Sequence, residues 1–440
     1  MHQPMLRLTL AALVAGALAA CSNDGDPAPP PTNITATPGD GRIVLAWDAQ
    51  PGVEYWIFGA ADPNVTVDNW ITMPASFSVI RGRSPQPVCA LENGTTYWAT
   101  INARTGTAEG GPGSPSVSAT PRLAGETWTT TTLGTPVNAL GFALVDRCRT
   151  VNAVTDNERP ATGLFIAVGD AASIHTSPDG VNWTKQPVDP AFTGDLYAVD
   201  VFTRRPGNLR DLEQTWLAVG AETATLRSYN GVDWILSAAP VPGTRTLRSL
   251  THRFETFVGV GDGGRIAVTS NTTQWFERES PTTENLNFVT YDNGSFLAVG
   301  DNGTLLMSGD ATGWSRIDIG TTARLRGAAY GNNNTNPGSA GHEEIDTWVV
   351  VGEGGTVAIS RNNGRSWQLQ ALPGAPNLVG VGYTTAFIAV DDTGGVWRSI
   401  DGASWDGPIA SGLGQVEIVS GLSEYGILGA LPGGRVAASF

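Results

Sequence analysis

Three arginines, Arg248, Arg324 and Arg326, each lie one residue before or after the leucine that opens an apolar strand, in a chain with 41 acidic and 26 basic residues. A guanidinium is a planar fork that matches a carboxylate, so three of them on neighbouring segments could grip an acidic ligand. Other polar residues hold the same two positions at other strand starts: Asp195 and Tyr197 around Leu196, Asn285 and Asn287 around Leu286, Asn377 before Leu378, and Gln415 and Glu417 around Val416. Strand side chains alternate in facing, so the two neighbours of a buried first residue point the same way. These ten residues are the candidate ligand ring, at the mouth of a central channel. They could also simply face channel water. No catalytic residue is assigned. Four histidines, His2, His175, His252 and His342, are scattered without metal-ligand spacing, so neither a metal nor a cofactor is expected.

The elements that would position this ring repeat. Units of strand, turn and strand close at Trp183, Trp234, Trp275, Trp314, Trp367 and Trp405. A serine opens the turn before each tryptophan, as in Ser177-Pro-Asp-Gly-Val-Asn-Trp183 and Ser399-Ile-Asp-Gly-Ala-Ser-Trp405. Before the serine comes an apolar strand ending in Gly-Asp or Gly-Glu, as in Leu297-Ala-Val-Gly-Asp301. A period of roughly 40 residues, rich in short strands, predicts a β-propeller.

Laid in register, the innermost strands start at Leu140, Leu196, Leu247, Leu286, Leu325, Leu378 and Val416, which predicts seven blades. The tryptophan-bearing outer strand follows only six of them, because the sequence ends at Phe440. An open ring would leave unpaired strand edges. The stretch Glu126–Thr132, with Trp128, is expected to supply the missing outer strand and close the ring. A second acidic set, Asp170, Asp262, Asp301, Glu353 and Asp391, reads as hairpin turns.

The Ser-x-Asp-x-Gly-x-x-Trp turn, most complete at Ser360–Trp367, resembles the Asp-box (BNR repeat) of sialidase-like and photosystem-assembly-factor-like propellers. The box is structural on this reading. Asp or Asn folds onto the turn backbone, Gly takes the positive φ, and Trp packs between blades. The sialidase resemblance implies a three-arginine carboxylate clamp with a tyrosine, a glutamate and an aspartate. Here Arg248, Arg324, Arg326, Tyr197, Glu417 and Asp195 would have to fill those roles. The chain lacks the Phe-Arg-Ile-Pro motif of that family, and fold alone confers no chemistry.

Residues 33–122 alternate as strands, with Trp47 as a core anchor. Leu91 followed by Tyr97 resembles the fibronectin type III pattern, which implies a β-sandwich whose tyrosine hydroxyl ties back to upstream backbone. Such modules serve as spacers or adhesins. The fold class expected is therefore all-β: a fibronectin type III-like domain at 33–122 and a seven-bladed propeller at 123–440.

Residues 1–20 read as a signal peptide, with Arg7 before an apolar stretch too short to span a bilayer. Leu18-Ala19-Ala20-Cys21 resembles the bacterial lipobox, which implies lipidation of Cys21. Ser22 after it points, by the same resemblance, to the outer membrane. Residues 21–32 read as a Pro-rich spacer. The remaining cysteines, Cys89 and Cys148, are a candidate interdomain disulfide in an oxidising compartment. The net charge of −15 without a basic stripe argues against nucleic acid. The expected protein is a non-catalytic lipoprotein of the cell envelope, held to the membrane by its lipid and recognising an envelope protein or a glycan. A sialidase-like glycoside hydrolase and a stalked adhesin binding through the sandwich are the alternatives.

Overall fold

The computed structural model describes residues 27–143, 163–204, 213–221, 224–237, 241, 243–332, 346–421 and 426–440. The chain forms two compact units, one built on Ile43–Pro121 and the other on Thr162–Phe440 with the segment that follows Arg122.

The first unit has seven strands: β1 (Thr35–Gly39), β2 (Arg42–Ala46), β3 (Val53–Ala60), β4 (Phe77–Gly82), β5 (Gln86–Cys89), β6 (Tyr97–Thr105) and β7 (Val117–Ala119). They form two sheets, in the orders β1-β2-β5 and β4-β3-β6-β7. Alternate residues of both sheets bury into one core, with Ile43 and Leu45 meeting Ile57 and Ile101. The Tyr97 hydroxyl accepts the Glu92 N–H at 3.1 Å, the tie-back that the Leu91–Tyr97 spacing predicts. Packing starts before β1. Ala28 and Pro31 are buried, and the Thr32 carbonyl accepts the Asp48 N–H at 3.0 Å. The spacer reading of 21–32 therefore stops short of Ala28, whose methyl belongs to the sandwich core.

The second unit is a β-propeller. Among the described residues it contains seven four-stranded antiparallel sheets. We number them 1 to 7 by their first strands: Val137–Ala143, Leu196–Arg204, Leu247–Arg253, Leu286–Asp292, Leu325–Asn332, Leu378–Tyr383 and Ile418–Gly421. Each first strand packs on the next, and the last contacts Val137–Ala143, so the sheets form a ring. Cores lie between neighbouring sheets, as where Phe165 and Ala167 of sheet 1 meet Leu428 and Val436 of sheet 7. Second strands are covered on both faces and are accordingly continuous apolar runs. Trp348, Val349, Val350 and Val351 are fully buried. Fourth strands are two to five residues long and mostly exposed, and short polar strands make safe edges.

Sheet 7 is completed from the other end of the chain. β8 (Thr129–Thr132) pairs antiparallel with Arg435–Ser439, in the register Thr132↔Arg435 to Thr129↔Ala438. The tryptophan turns build as expected. In Ser177–Trp183 the Asp179 carboxylate accepts the N–H groups of Val181 and Asn182 at 2.9 and 2.7 Å. The Trp183 indole donates to the Gly180 carbonyl at 3.0 Å.

Two register readings change. In sheet 1 Val137, not Leu140, pairs with the last residue of the second strand, as Leu196 does in sheet 2. The mouth positions there are therefore Pro136 and Asn138. In sheet 3 the turn opens at Thr269, whose hydroxyl contacts Asn271, not at Ser270. In sheet 7 the second strand is Ile427–Leu431. Apolar residues on both faces of these strands blur the repeat, and that permits the slips.

Candidate functional site: the channel mouth

In sheets 1 to 6 the residue after the first-strand start sits at a β-bulge. The ladder skips Asn138, Tyr197, Arg248, Asn287, Arg326 and Val379. A bulge bends the strand and re-aims a side chain, which turns these residues out of the ladder at the mouth. The preceding residue is held through its backbone. Its carbonyl accepts the N–H of the acidic turn residue of the same sheet: Thr246 from Asp262, Asn285 from Asp301, Arg324 from Glu353, Asn377 from Asp392. Glycine makes this approach possible. A β-carbon at Gly261 or Gly300 would lie 1.9 or 2.0 Å from the Thr246 or Asn285 oxygen. The Gly-Asp and Gly-Glu pairs of the sequence are thus two parts of one device: the glycine admits the neighbouring backbone, and the acid meets the bulged side chain.

That acid takes up most of the candidate ring. Arg248 pairs with Asp262, and Arg326 pairs with Glu353 at 3.1 Å. Asp301 accepts from Asn285 at 3.0 Å and from Asn287 at 2.9 Å, and it pairs with Arg324 at 3.0 Å. Asn377 donates to Asp392 at 3.1 Å. The in-register acid of sheet 6 is therefore Asp392. Asp391 is buried and accepts from Trp397 and from the Gly395 N–H. Asn138 donates to Asp170 at 2.8 Å and to the Leu196 carbonyl of the next sheet at 3.1 Å. The shifted start in sheet 1 hid Asn138 from the sequence reading, and its signal was the Gly169-Asp170 pair beneath it.

Other contacts stitch sheet to sheet. Asp195 accepts the Ala171 N–H, Asn285 the Gly263 N–H and Asn377 the Gly354 N–H, each in the turn of the preceding sheet. Burial works against charge on Asp301. Even so, its amide donors and the Arg324 and Arg248 guanidiniums hold the carboxyl below its ordinary range. Burial, with Asp195 and Asp170 close by, raises the Tyr197 phenol, and the Tyr197 hydroxyl lies 3.5 Å from Asp195. Gln415 and Glu417 are exposed on sheet 7.

Most of the candidate ring residues are therefore already engaged within the chain. Arg248, Arg324 and Arg326 each face a carboxylate of the chain itself, and the first two keep 43% and 40% of their side-chain surface in solvent. Half-exposed pairs are worth about 0–1 kcal/mol, so an incoming carboxylate could displace them at small cost. Each arginine is taken up by an acid of its own chain, Arg248 by Asp262, Arg324 by Asp301 and Arg326 by Glu353, and the Tyr197 hydroxyl lies by Asp195. Among the described residues no His, Cys, Asp or Glu group could hold a metal ion. Cys89 is buried and disulfide-bonded. Cys21 and Cys148 lie outside the described residues, as does the region read as a signal peptide and lipobox.

No protein-family model matches the chain, and no curated protein does. Solved structures do match. The structure "YCF48 bound to D1 peptide" shares 15% identity over 71% of this chain and 97% of its own, with a TM-score of 0.52. YCF48 from Cyanidioschyzon merolae shares 15% identity over 71% of this chain and 98% of its own, with a TM-score of 0.50. At this identity the likeness is one of fold: this chain carries the β-propeller of those proteins.

Proposed function

We propose that this chain is an exported lipoprotein whose propeller recognises a protein partner at the cell envelope and holds it for assembly, without catalysis. The first unit, read as a fibronectin type III domain, spaces a seven-bladed propeller from a membrane anchor at Cys21. The observation that carries the reading is the mouth itself. Bulged, half-exposed arginines, asparagines and carboxylates alternate round it, and they can exchange partners with a peptide's charged and amide groups. A propeller of the same fold, YCF48, has been solved with a D1 peptide bound, which supports a peptide or protein over a glycan as the partner. We further propose that Cys89 pairs with Cys148, which leaves Cys21 for lipid. Non-reducing peptide mapping showing a Cys89–Cys148 linkage would agree with this, and a free Cys148 thiol would not.

The test is an affinity comparison with the full-length chain against proteins extracted from its own envelope. Gln415→Arg with Asn377→Arg changes the charge of the exposed mouth. Gln368→Arg changes an exposed fourth strand of sheet 5 instead. At least tenfold weaker capture by the mouth variant alone is expected. Equal capture by both variants would remove the mouth from the recognition surface.

A further inference from the structure

The face opposite the mouth carries an aromatic cleft. The hairpin between the first and second strands of sheet 3 turns on Phe254 and Glu255, because Arg253 pairs with Thr256. The same turn in sheet 4 uses Asn293 and Gly294, at φ 42° and 76°, residue types that enter left-handed backbone readily. Phe254 holds φ 50°, and a bulky residue there is a conformational outlier. The residue is 73% exposed, so burial offsets little of that strain. Sheet 4 shows that the turn closes without either cost. Strain of this kind collects at ligand sites.

The cleft beside it has a volume of about 510 Å³ and is walled by Phe202, Phe254 and Phe296, with Arg253, Glu255 and Asp310 at its rim. That volume suits a small ligand. Arg253 is held in place. It donates to the Gly309 carbonyl at 2.9 Å, and its guanidinium carbon lies 5.6 Å from the Phe254 ring centroid and 5.4 Å from that of Tyr291. The rim acids are occupied. Glu255 pairs with Arg204 at 3.0 Å, and Asp310 accepts from Thr312 and Gly313 within its tryptophan turn. No ion pair among the described residues engages Arg253. The cleft therefore offers an apolar body and one oriented guanidinium.

We propose that this cleft binds an apolar carboxylate, its acid group on Arg253 and its hydrocarbon or aryl body against Phe202, Phe254 and Phe296. The chemistry is common to a free organic acid and to the end of a peptide with an apolar last residue. It is independent of recognition at the mouth.

Calorimetric titration of the full-length chain with 3-phenylpropionate, and with an acetylated tripeptide ending in phenylalanine as free acid or as amide, tests the proposal. Saturable binding of the free acids and at least tenfold weaker binding of the amide are expected. Binding of both acids identifies a general acid site, and binding of the peptide acid alone identifies a chain-end site. Arg253→Gln should weaken binding at least tenfold. Phe254→Asn should weaken it too, yet raise the melting temperature, because asparagine suits the turn. Failure of both acids to saturate, an amide that binds as well as the acid, or unchanged binding in the stabilised Phe254→Asn variant would overturn the assignment.

Discussion

At the scale of single residues, the tryptophan turns show which side chains the fold needs and which it tolerates. The position after the Asp or Asn is left-handed in every box, and sheet 3 fills it with Thr272 at φ 60°. A β-branched residue there costs about 1–2 kcal/mol over glycine. Thr272→Gly should therefore raise stability by about 1 kcal/mol, read as a higher urea midpoint at unchanged slope. Burial opposes ionisation of Asp179 and Asp401, but turn N–H donors hold both carboxyls below the ordinary 3.8. A lowered carboxyl stabilises the fold above its unfolded value and loses that contribution as pH falls through the folded value. Melting temperature should hold down to about pH 4 and drop below it, and Asp179→Asn with Asp401→Asn should flatten the drop. His252 runs the other way. Burial would lower it, but Asp200, 2.7 Å from its Nδ1, raises it above 6.5. Its contribution is complete below pH 6.5 and disappears as pH rises through the folded value. The gap in melting temperature between the native chain and Asp200→Asn should thus be widest near pH 6.

At the scale of elements, the repeat was legible because its strongest signals are local. Trp183, Trp234 and Trp405 mark turns that form within seven residues, and Gly-Asp marks the end of a second strand. Closure by β8 was legible for a different reason: an outer strand counted six times and needed a seventh. What stayed hidden depends on pairing across sheets. Nothing local to Val137-Asn138 distinguishes it from Leu140 as a strand start, and the bulge that fixes the register is visible only beside Gly169. Asp391 and Asp392 are adjacent, so only the ladder assigns one to the core and the other to the mouth. Likewise, the sequence brought the arginines to the mouth but not to Asp262, Asp301 and Glu353, which it read as turns. Their pairing is modest in energy, and Arg326→Gln should cost less than about 1 kcal/mol. Trp348→Ala, in a fully buried second strand, should cost about 3–5 kcal/mol. Closure carries more. Deleting residues 435–440 removes the partner of β8 and the Phe440 ring that packs on Phe165 at 5.4 Å. Aggregation or a large loss of melting temperature is expected. Conversely, cysteines at the paired positions Thr130 and Ala437 should form a cross-link within one chain, and mixed dimers would contradict the register.

At the scale of the whole molecule, a chain of net charge −15 presents one face on which Arg248, Arg324 and Arg326 pair with Asp262, Asp301 and Glu353, while Asp195 and Glu417 add carboxylates at sheets 2 and 7. On the proposed reading, such a mixed mouth suits a partner that is itself polar and of mixed charge. The two units each close on their own cores, and on the proposed reading spacing and recognition divide between them. The claim at the centre is that the mouth is the recognition surface. A photo-crosslinking residue placed at Gln415 in the full-length chain, in its own host, tests it directly. The account expects one discrete protein adduct from that position and none from the same residue at Gln368. Adducts from Gln368 with none from Gln415 would contradict it.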